Sequence, residues 1–506
     1  MGAQAPGLAS PLRSIQKPPS QSAVSAPRCR SQPRTVLRQQ YSSSIPLTAA
    51  SAVLTRSSPS HPSGRGGCRD AVVAASSAAA SFDASADELD SLPSIAAADA
   101  IETGEAHGNA TFTQAVLNVI NIVTGVGLLS VPFALRRAGW AGLGILWLMG
   151  FVMNYTGKAL GECHKVVTKK RQREGSNGTA LVGYEDIGAE AFGAPGRAVV
   201  ATSMYIELMG TCALLFILEG DNLFQLLGPR FAPNSATYML LAAMVMIPTV
   251  WLPDLKTLSG LGMVGVAATL TVTAAVAYTL ISGSFPVGAV TSAANWTSMP
   301  LVFGILAFVY SGHGVFPSVR ASMQQPEDFP KVLNVAYATV AGLCTFIGAT
   351  GYYMYGTAAK DLITFNLPAG LLATLCASVI LVNPIAKLAI TMDPVGVAAN
   401  TWAASAIQGV PAGVRRFVVR TLLACACLAA ARYVPFLAYF MSLIGSFLTI
   451  AVSVVLPISL HLKIFQGKLS KQRLAWNWLV IAIGVACALS GTTASVKALL
   501  ASTASA

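Results

Sequence analysis

From Thr111 onward, apolar residues come in runs of about twenty, the length a helix needs to cross the hydrocarbon core of a bilayer. Short polar or charged stretches separate the runs. The pattern predicts spans at residues 111–135, 138–163, 197–220, 236–252, 257–281, 297–319, 330–355, 367–391, 414–433, 435–460 and 474–495. The ninth and tenth meet tightly at Arg432-Tyr433-Val434-Pro435, so ten spans is the alternative count. Two runs are interrupted in the same way. The first reads Asn121-Ile122-Val123-Thr124-Gly125-Val126-Gly127 and is followed by Pro132; the sixth reads Tyr310-Ser311-Gly312-His313-Gly314 and is followed by Pro317. An unpaired backbone group in lipid costs several kcal/mol, so broken helix persists only where protein buries it or it lines a cavity. Two matched breaks, each opening one half of a multi-span bundle, point to the binding site of a secondary transporter.

Composition agrees. The chain is 54% hydrophobic and 11% charged, with mean hydropathy +0.61, and a soluble protein carries about twice that charge. The net charge of +12 does not indicate nucleic acid, because no Arg-rich stripe with interleaved aromatics occurs. Residues 1–110 read as a disordered tail. Within it, residues 1–69 hold nine Lys or Arg and no acid, which fits either a transit peptide or a plain polar tail. Residues 83–105 turn acidic, as a solvated linker would. Residues 111–496 form the transmembrane domain and 497–506 a short C-terminal tail. The nine cysteines include no CxxC and no Cys/His cluster, so no metal site is expected.

Charge placement sets an expected orientation. With the N-terminus cytoplasmic, inner loops carry 14 Lys or Arg and outer loops 6, as the positive-inside rule favours. The sequon Asn295-Trp296-Thr297 then lies outside and Asn177-Gly178-Thr179 inside.

Several stretches are recognisable: Gln114-Ala115-Val116-Leu117-Asn118 running into Gly125-Val126-Gly127-Leu128-Leu129-Ser130; Tyr205-Ile206-Glu207-Leu208 with Leu218-Glu219-Gly220-Asp221-Asn222-Leu223; Tyr310-Ser311-Gly312-His313-Gly314-Val315-Phe316-Pro317; Phe365-Asn366-Leu367-Pro368; and Val382-Asn383-Pro384. With these, the chain resembles the amino acid/auxin permease family, most closely its vacuolar amino-acid transporter branch. The resemblance covers roughly residues 111–496. It implies an all-α polytopic fold of about eleven helices, with the five-plus-five inverted repeat of the bacterial leucine transporter and helices one and six broken. Gly314 departs from the family, where a small residue such as Ala or Ser is usual.

The breaks supply the expected substrate site: Thr124, Gly125, Val126, Gly127, Ser311, Gly312, His313 and Gly314. Freed amides suit a carboxylate, and freed carbonyls suit an ammonium or a coupling cation. The competing reading is that these glycines only let helices pack closely. Ionisable residues inside a membrane are costly and mark function by default, which makes His313, Lys387 and Glu207, with Asn383, the coupling-ion candidates. His313 titrates near neutrality, or simply bonds freed carbonyls. Lys387 replaces a sodium ion against span one, as the resemblance suggests, or snorkels to the interface. Glu207 pairs with a Lys or joins a proton path, or is a satisfied structural carboxylate. Glu219 and Asp221 read as vestibule or helix-end groups, and Lys158/Glu162 as an interfacial i,i+4 pair.

The expectation is a proton-coupled transporter of neutral amino acids working by alternating access. It is not an enzyme and has no cofactor; the coupling species is a proton, with sodium disfavoured. Its partners are the amino-acid substrate and the lipid bilayer, with no nucleic acid. A vacuolar or other endomembrane site is favoured, with the plastid envelope as the alternative. A vesicular GABA/glycine-type or auxin carrier of the same family, or an amino-acid sensor with little flux, are the competing functions.

Overall fold

The first helix begins where the sequence supplies a cap. The Thr111 side chain accepts from the Gln114 N–H at 3.3 Å, and the Gln114 side chain accepts from the Thr111 N–H at 2.9 Å. This reciprocal capping satisfies two of the donors that a helix start leaves free. The computed structural model describes residues 108–173, 182–251, 261–368, 370–407, 409–433 and 436–504. Most of the tail, the 174–181 loop with its sequon, and the 434–435 junction lie outside the described residues.

Each predicted span is mainly helical over its described residues. The first comprises α1 (Phe112–Val123), α2 (Val126–Leu129) and α3 (Val131–Ala138). The second to fifth are α4 (Ala141–Arg173), α5 (Tyr184–Leu227), α6 (Ser235–Thr249) and α7 (Leu261–Ile281). The sixth is split into α8 (Met299–Val309) and α9 (Phe316–Ser322). Then come α10 (Phe329–Tyr355), α11 (Leu371–Ala406) and α12 (Ala412–Tyr433). The tenth span runs from α13 (Leu437–Ile444) through two π-helical stretches, Gly445–Thr449 and Ala451–Val455, into α14 (Leu456–Ile464). The last is α15 (Lys471–Ala504). Seven helical segments among the described residues are long and apolar enough to cross a membrane by length and composition. The architecture is all-α and polytopic.

The two broken spans lie side by side and antiparallel. At one face of the bundle, the Ala110 N–H donates to Ser322 O and the Gln324 N–H to Ala110 O, both at 2.9 Å. At the opposite face, the Asn295 N–H reaches Ala138 O at 2.8 Å and the Trp140 N–H reaches Ser292 O at 3.0 Å. The N-terminal half of span one is therefore tied to the C-terminal half of span six, and conversely, as an inverted repeat requires. Lipid gives helices no hydrophobic reason to associate, so close contact rests on small residues. Spans six and ten meet backbone to backbone on that principle: a Cβ at Gly304 would fall 2.3 Å from Ser442 O, and one at Gly445 only 1.9 Å from Gly304 O.

Three sequence expectations change. The third helix starts well before residue 197, with an arm from Tyr184 that bends at Gly193 (φ 68°, ψ −155°) and Pro195. The eighth helix runs past 391 to Ala406, because Asp393 is paired and therefore tolerated inside the bundle. Asp393 and Arg420 are 2% and 3% exposed, form an ion pair, and Arg420 also donates to Val250 O at 3.1 Å. Lys158 and Glu162 are not a pair. Lys158 Nζ donates to Asn334 Oδ1 at 2.6 Å, while Glu162 accepts from Arg473 at 2.7 and 2.8 Å and contacts His461 Nε2 at 3.0 Å. A charge-assisted contact from one Arg473 nitrogen, Nη2, to both carboxylate oxygens outweighs an i,i+4 pair, which is worth about 0.2–0.5 kcal/mol.

Removing one member of a buried ion pair strands the other charge and costs about 3–5 kcal/mol. Asp393→Ala is accordingly expected to lower the midpoint of thermal unfolding in detergent sharply. Replacing both partners, as in Asp393→Leu with Arg420→Met, should recover most of the loss; a single variant as stable as wild type would contradict the role given to this pair.

Candidate substrate and coupling-ion site

The first break is two residues wide. The Thr124 N–H donates to Ile120 O at 2.6 Å and its hydroxyl bonds the same carbonyl. The chain then turns extended at Thr124 (φ −75°, ψ 94°) and Gly125 (φ −123°, ψ −150°) before α2 begins at Val126. Lys387 occupies the notch so formed. Its Nζ donates to Asn121 O and Thr124 O, each at 3.3 Å. It lies near the middle of α11 and reaches span one rather than the membrane surface, which decides against snorkelling. Asn383, one turn away, comes to the same place. A Cβ at Gly265 of the fifth span would lie 2.7 Å from Asn121 Oδ1 and 3.4 Å from Asn383 Oδ1. Gly125 is the open point: within 4 Å of its Cβ position there is only Lys387 Nζ, at 3.7 Å. Gly127 behaves differently. It is already helical, and a Cβ there would sit 2.8 Å from the Val309 Cα, so it lets spans one and six touch.

The second break centres on Ser311 and Gly312. Gly312 has φ 153° and ψ −1°, a conformation L side chains rarely adopt, and a Cβ would also lie 2.9 Å from Ile122 Cγ2. Tyr337 hydroxyl donates to the Tyr310 carbonyl at 3.3 Å, and the two rings stack at 5.8 Å. His313 is fully buried and faces the second span, with Nε2 3.1 Å from Met153 O and 3.0 Å from Thr156 Oγ1. A carbonyl only accepts, so Nε2 carries the proton. Nδ1 has no hydrogen-bond partner among the described residues. Gly314 packs toward the Met204 thioether, 2.9 Å from its Cβ position. The internal echo extends to one arginine after each break: Arg136 donates to Ala359 O at 2.8 Å and Arg320 contacts His164 Nδ1 at 2.7 Å.

The coupling candidates thus fall in three places. Lys387 and Asn383 meet at the first break, and His313 binds to span two. Glu207, 8% exposed, points to span ten, where its Oε1 accepts from Thr449 Oγ1 at 2.7 Å at the end of a π-helical turn. Its partner is therefore a hydroxyl. Glu219 is buried, 3% exposed, rather than placed on an open vestibule. Thr156, Thr449 and the π-helical turns have no periodicity signal in the sequence; Asn121 and Thr124 are found by the break itself. Together, a notch of carbonyls, one ammonium and the open backbone at Gly125 can hold a small molecule bearing both an amino and a carboxylate group.

Comparison with known proteins decides the family. The model of the family described as "Transmembrane amino acid transporter protein" matches residues 108–497. The chain belongs to this family. Among curated relatives, it is 32% identical over 410 residues to "Amino acid transporter AVT1B" of Arabidopsis thaliana, covering 78% of this chain and 72% of that one. It is also 32% identical to "Amino acid transporter AVT1J" of the same plant, with 77% and 92% covered, and 26% identical to "Amino acid transporter ANT1", with 79% and 95% covered. As a member of the family it is a multi-pass transporter that moves amino acids across a membrane, and not an enzyme. Solved structures similar to it include a substrate-bound, outward-open Na+-coupled sialic acid symporter (TM-score 0.49, 12% identity, 78% of this chain and 89% of that one). The structure of MhsT in complex with L-phenylalanine is another (TM-score 0.46, 12% identity, 75% and 98%).

A side chain forced into an unfavourable backbone region costs about 1–3 kcal/mol, roughly tenfold or more in a population. Gly312→Ala is expected to cut amino-acid uptake by about that factor while the protein still reaches the membrane. Radiolabel uptake into proteoliposomes holding matched amounts of purified wild-type and variant protein checks it; normal uptake would remove Gly312 from the site.

Proposed function

We propose that the transporter is proton-coupled and carries neutral, zwitterionic amino acids by alternating access. The supporting observation is Lys387, whose ammonium lies on the carbonyls of Asn121 and Thr124 beside Gly125. Carbonyls at a helix break are the ligands a coupling cation uses in such bundles. Here a tethered ammonium takes that place, and lysine gives up its proton readily when buried. Protonated, Lys387 fastens the first half of span one to span eight. Deprotonated, it loses its charge and one of its three N–H donors, so its hold on the two carbonyls weakens and the half-helix is freer to move. Proton binding and release are thereby linked to opening of the break, and sodium has no need to enter. His313 and Glu207 stand as secondary candidates for the proton path, each held to a neighbouring span by a buried hydroxyl.

The substrate class follows from the same notch. Lys387 is engaged by backbone, so the substrate's ammonium and carboxylate are met by the polar backbone at Thr124, Gly125, Ser311 and Gly312. A net-neutral molecule suits such a site better than a charged one. The positive-inside distribution of Lys and Arg supports an N-terminus in the cytoplasm. The resemblance to the vacuolar branch supports the vacuole or another endomembrane as the membrane.

The test is radiolabelled uptake into proteoliposomes under an imposed pH gradient without sodium, with a panel of competing amino acids. Accumulation that follows the gradient and is competed by neutral amino acids is expected. Lys387→Ala should abolish gradient-driven accumulation yet retain exchange of internal for external substrate. Undiminished proton-driven uptake in that variant contradicts the coupling role, and uptake only in sodium contradicts proton coupling. Binding without flux under either ion favours a sensor.

A further inference from the structure

Three spans meet in a polar cluster away from both breaks, at the face of the bundle where span one begins. Span two supplies Tyr155 and Glu162, two turns apart on one face of α4. Span ten supplies His461, and span eleven supplies Arg473 and Asn477, one turn apart on α15. His461 and Asn477 are fully buried, while Glu162 keeps 39% of its side chain exposed. His461 Nε2 lies 3.0 Å from Glu162 Oε2, and Arg473 Nη2 donates to both Glu162 oxygens. A carboxylate held by a guanidinium only accepts, so Nε2 carries a proton. On the other side of the ring, Nδ1 accepts from Asn477 Nδ2 at 3.2 Å, and Asn477 Oδ1 accepts from the Tyr155 hydroxyl at 2.5 Å. The imidazole is thus neutral, with both nitrogens satisfied.

We propose that this cluster is a pH-sensitive latch, which holds span two against spans ten and eleven more firmly when His461 is protonated. Span two also bonds to spans six and seven, through Thr156 to His313, His164 to Arg320 and Lys158 to Asn334. The cluster is where that group of helices is fastened to spans ten and eleven. A second ring proton, on Nδ1, changes two contacts. The hydrogen bond to Glu162 becomes an ion pair. Asn477 turns its amide, so that Oδ1 accepts from Nδ1 and Nδ2 donates to the Tyr155 oxygen, and both ring nitrogens stay satisfied. The surroundings suit the added charge. His461 lies in the last turn of α14, where free carbonyls favour a cation. Glu162 faces it, and the neighbouring cations are engaged: Arg473 by Glu162, and Lys463 over the Phe192 ring at 6.0 Å. The arm of span three, which also packs on α14, brings Glu190, and that carboxylate is paired with Lys170. Phe465 covers the ring, centroid to centroid at 4.7 Å. Imidazole ordinarily changes charge between about pH 5 and 8, and the partly exposed Glu162 gives protons a way in. Acid on this face therefore tightens the latch, and alkali loosens it. The proposal rests on alternating access, and not on Lys387 or on a coupled proton.

Spin-label distances test it, on the full-length protein in nanodiscs. Labels go on Lys169→Cys near the end of span two and Lys471→Cys at the start of span eleven, both exposed positions. Cys29→Ser, Cys68→Ser and Cys425→Ser remove competing thiols, and the remaining cysteines are buried. Distances at about pH 8 and about pH 5, the ends of the range over which imidazole changes charge, report how far the two spans part. With the native cluster, the longer-distance fraction should be about fivefold smaller in acid, the ratio that one strengthened contact supplies. His461→Gln keeps a donor for Glu162 but cannot be charged, and should show the same longer-distance fraction at both values. Asn477→Asp gives a protonated imidazole an acceptor, and should hold the shorter distance at both; it decides the matter should His461→Gln not fold. A pH effect of equal size in the native cluster and in either variant overturns the proposal, and so does a longer distance missing at every pH. Uptake into proteoliposomes shows separately whether the transport reading itself fails.

Discussion

Every backbone amide and carbonyl inside a bilayer must find a partner within the protein, because lipid offers none. A helix meets that demand residue by residue; this chain breaks it twice, at Thr124–Gly125 and at Ser311–Gly312, and the surrounding structure answers those breaks. Lys387 crosses from span eight to two carbonyls of the first, and Tyr337 crosses from span seven to a carbonyl of the second. What remains open is a narrow strip of polar backbone at the middle of an apolar bundle. On the proposed reading, an amino acid brings the groups to complement it, and the same constraint that makes the breaks costly would make them selective.

The structure divides into parts that are locked and parts that are tied in pairs. The Asp393–Arg420 pair joins spans eight and nine and reaches the end of span four, and the glycine contact between spans six and ten leaves no room for a side chain. The half-helices are linked differently, by a few backbone hydrogen bonds at each face between span one and span six. On the proposed alternating-access reading, each pair of half-helices would swing as a unit at the breaks. Lys387 is the contact between the framework and one such unit.

The sequence was most legible where it obeyed the bilayer. Apolar run lengths located the spans, and paired Gly-x-Gly interruptions located both breaks and their correspondence. It was less legible where tertiary partners decide. Gly125 and Gly127 look equivalent in the motif, yet one is open to Lys387 and the other packs on Val309, a difference set by the neighbouring helix. Asp393 looks like the end of a span until Arg420, 27 residues on, neutralises it. Glu162 appears to have a partner one turn away, but its real partners come from spans ten and eleven. His313 sits in the motif of the break but turns toward Met153 and Thr156, and the π-helical turns facing Glu207 have no compositional mark.

The central claim is that a proton moves with the amino acid because Lys387 holds the place of a coupling cation. Internal pH is its most direct readout. Proteoliposomes loaded with a trapped pH-sensitive dye, in sodium-free medium with the membrane potential clamped, should acidify when a transported amino acid is added outside at symmetric pH, with an initial rate proportional to uptake. Amino-acid entry with no change in internal pH would contradict the account.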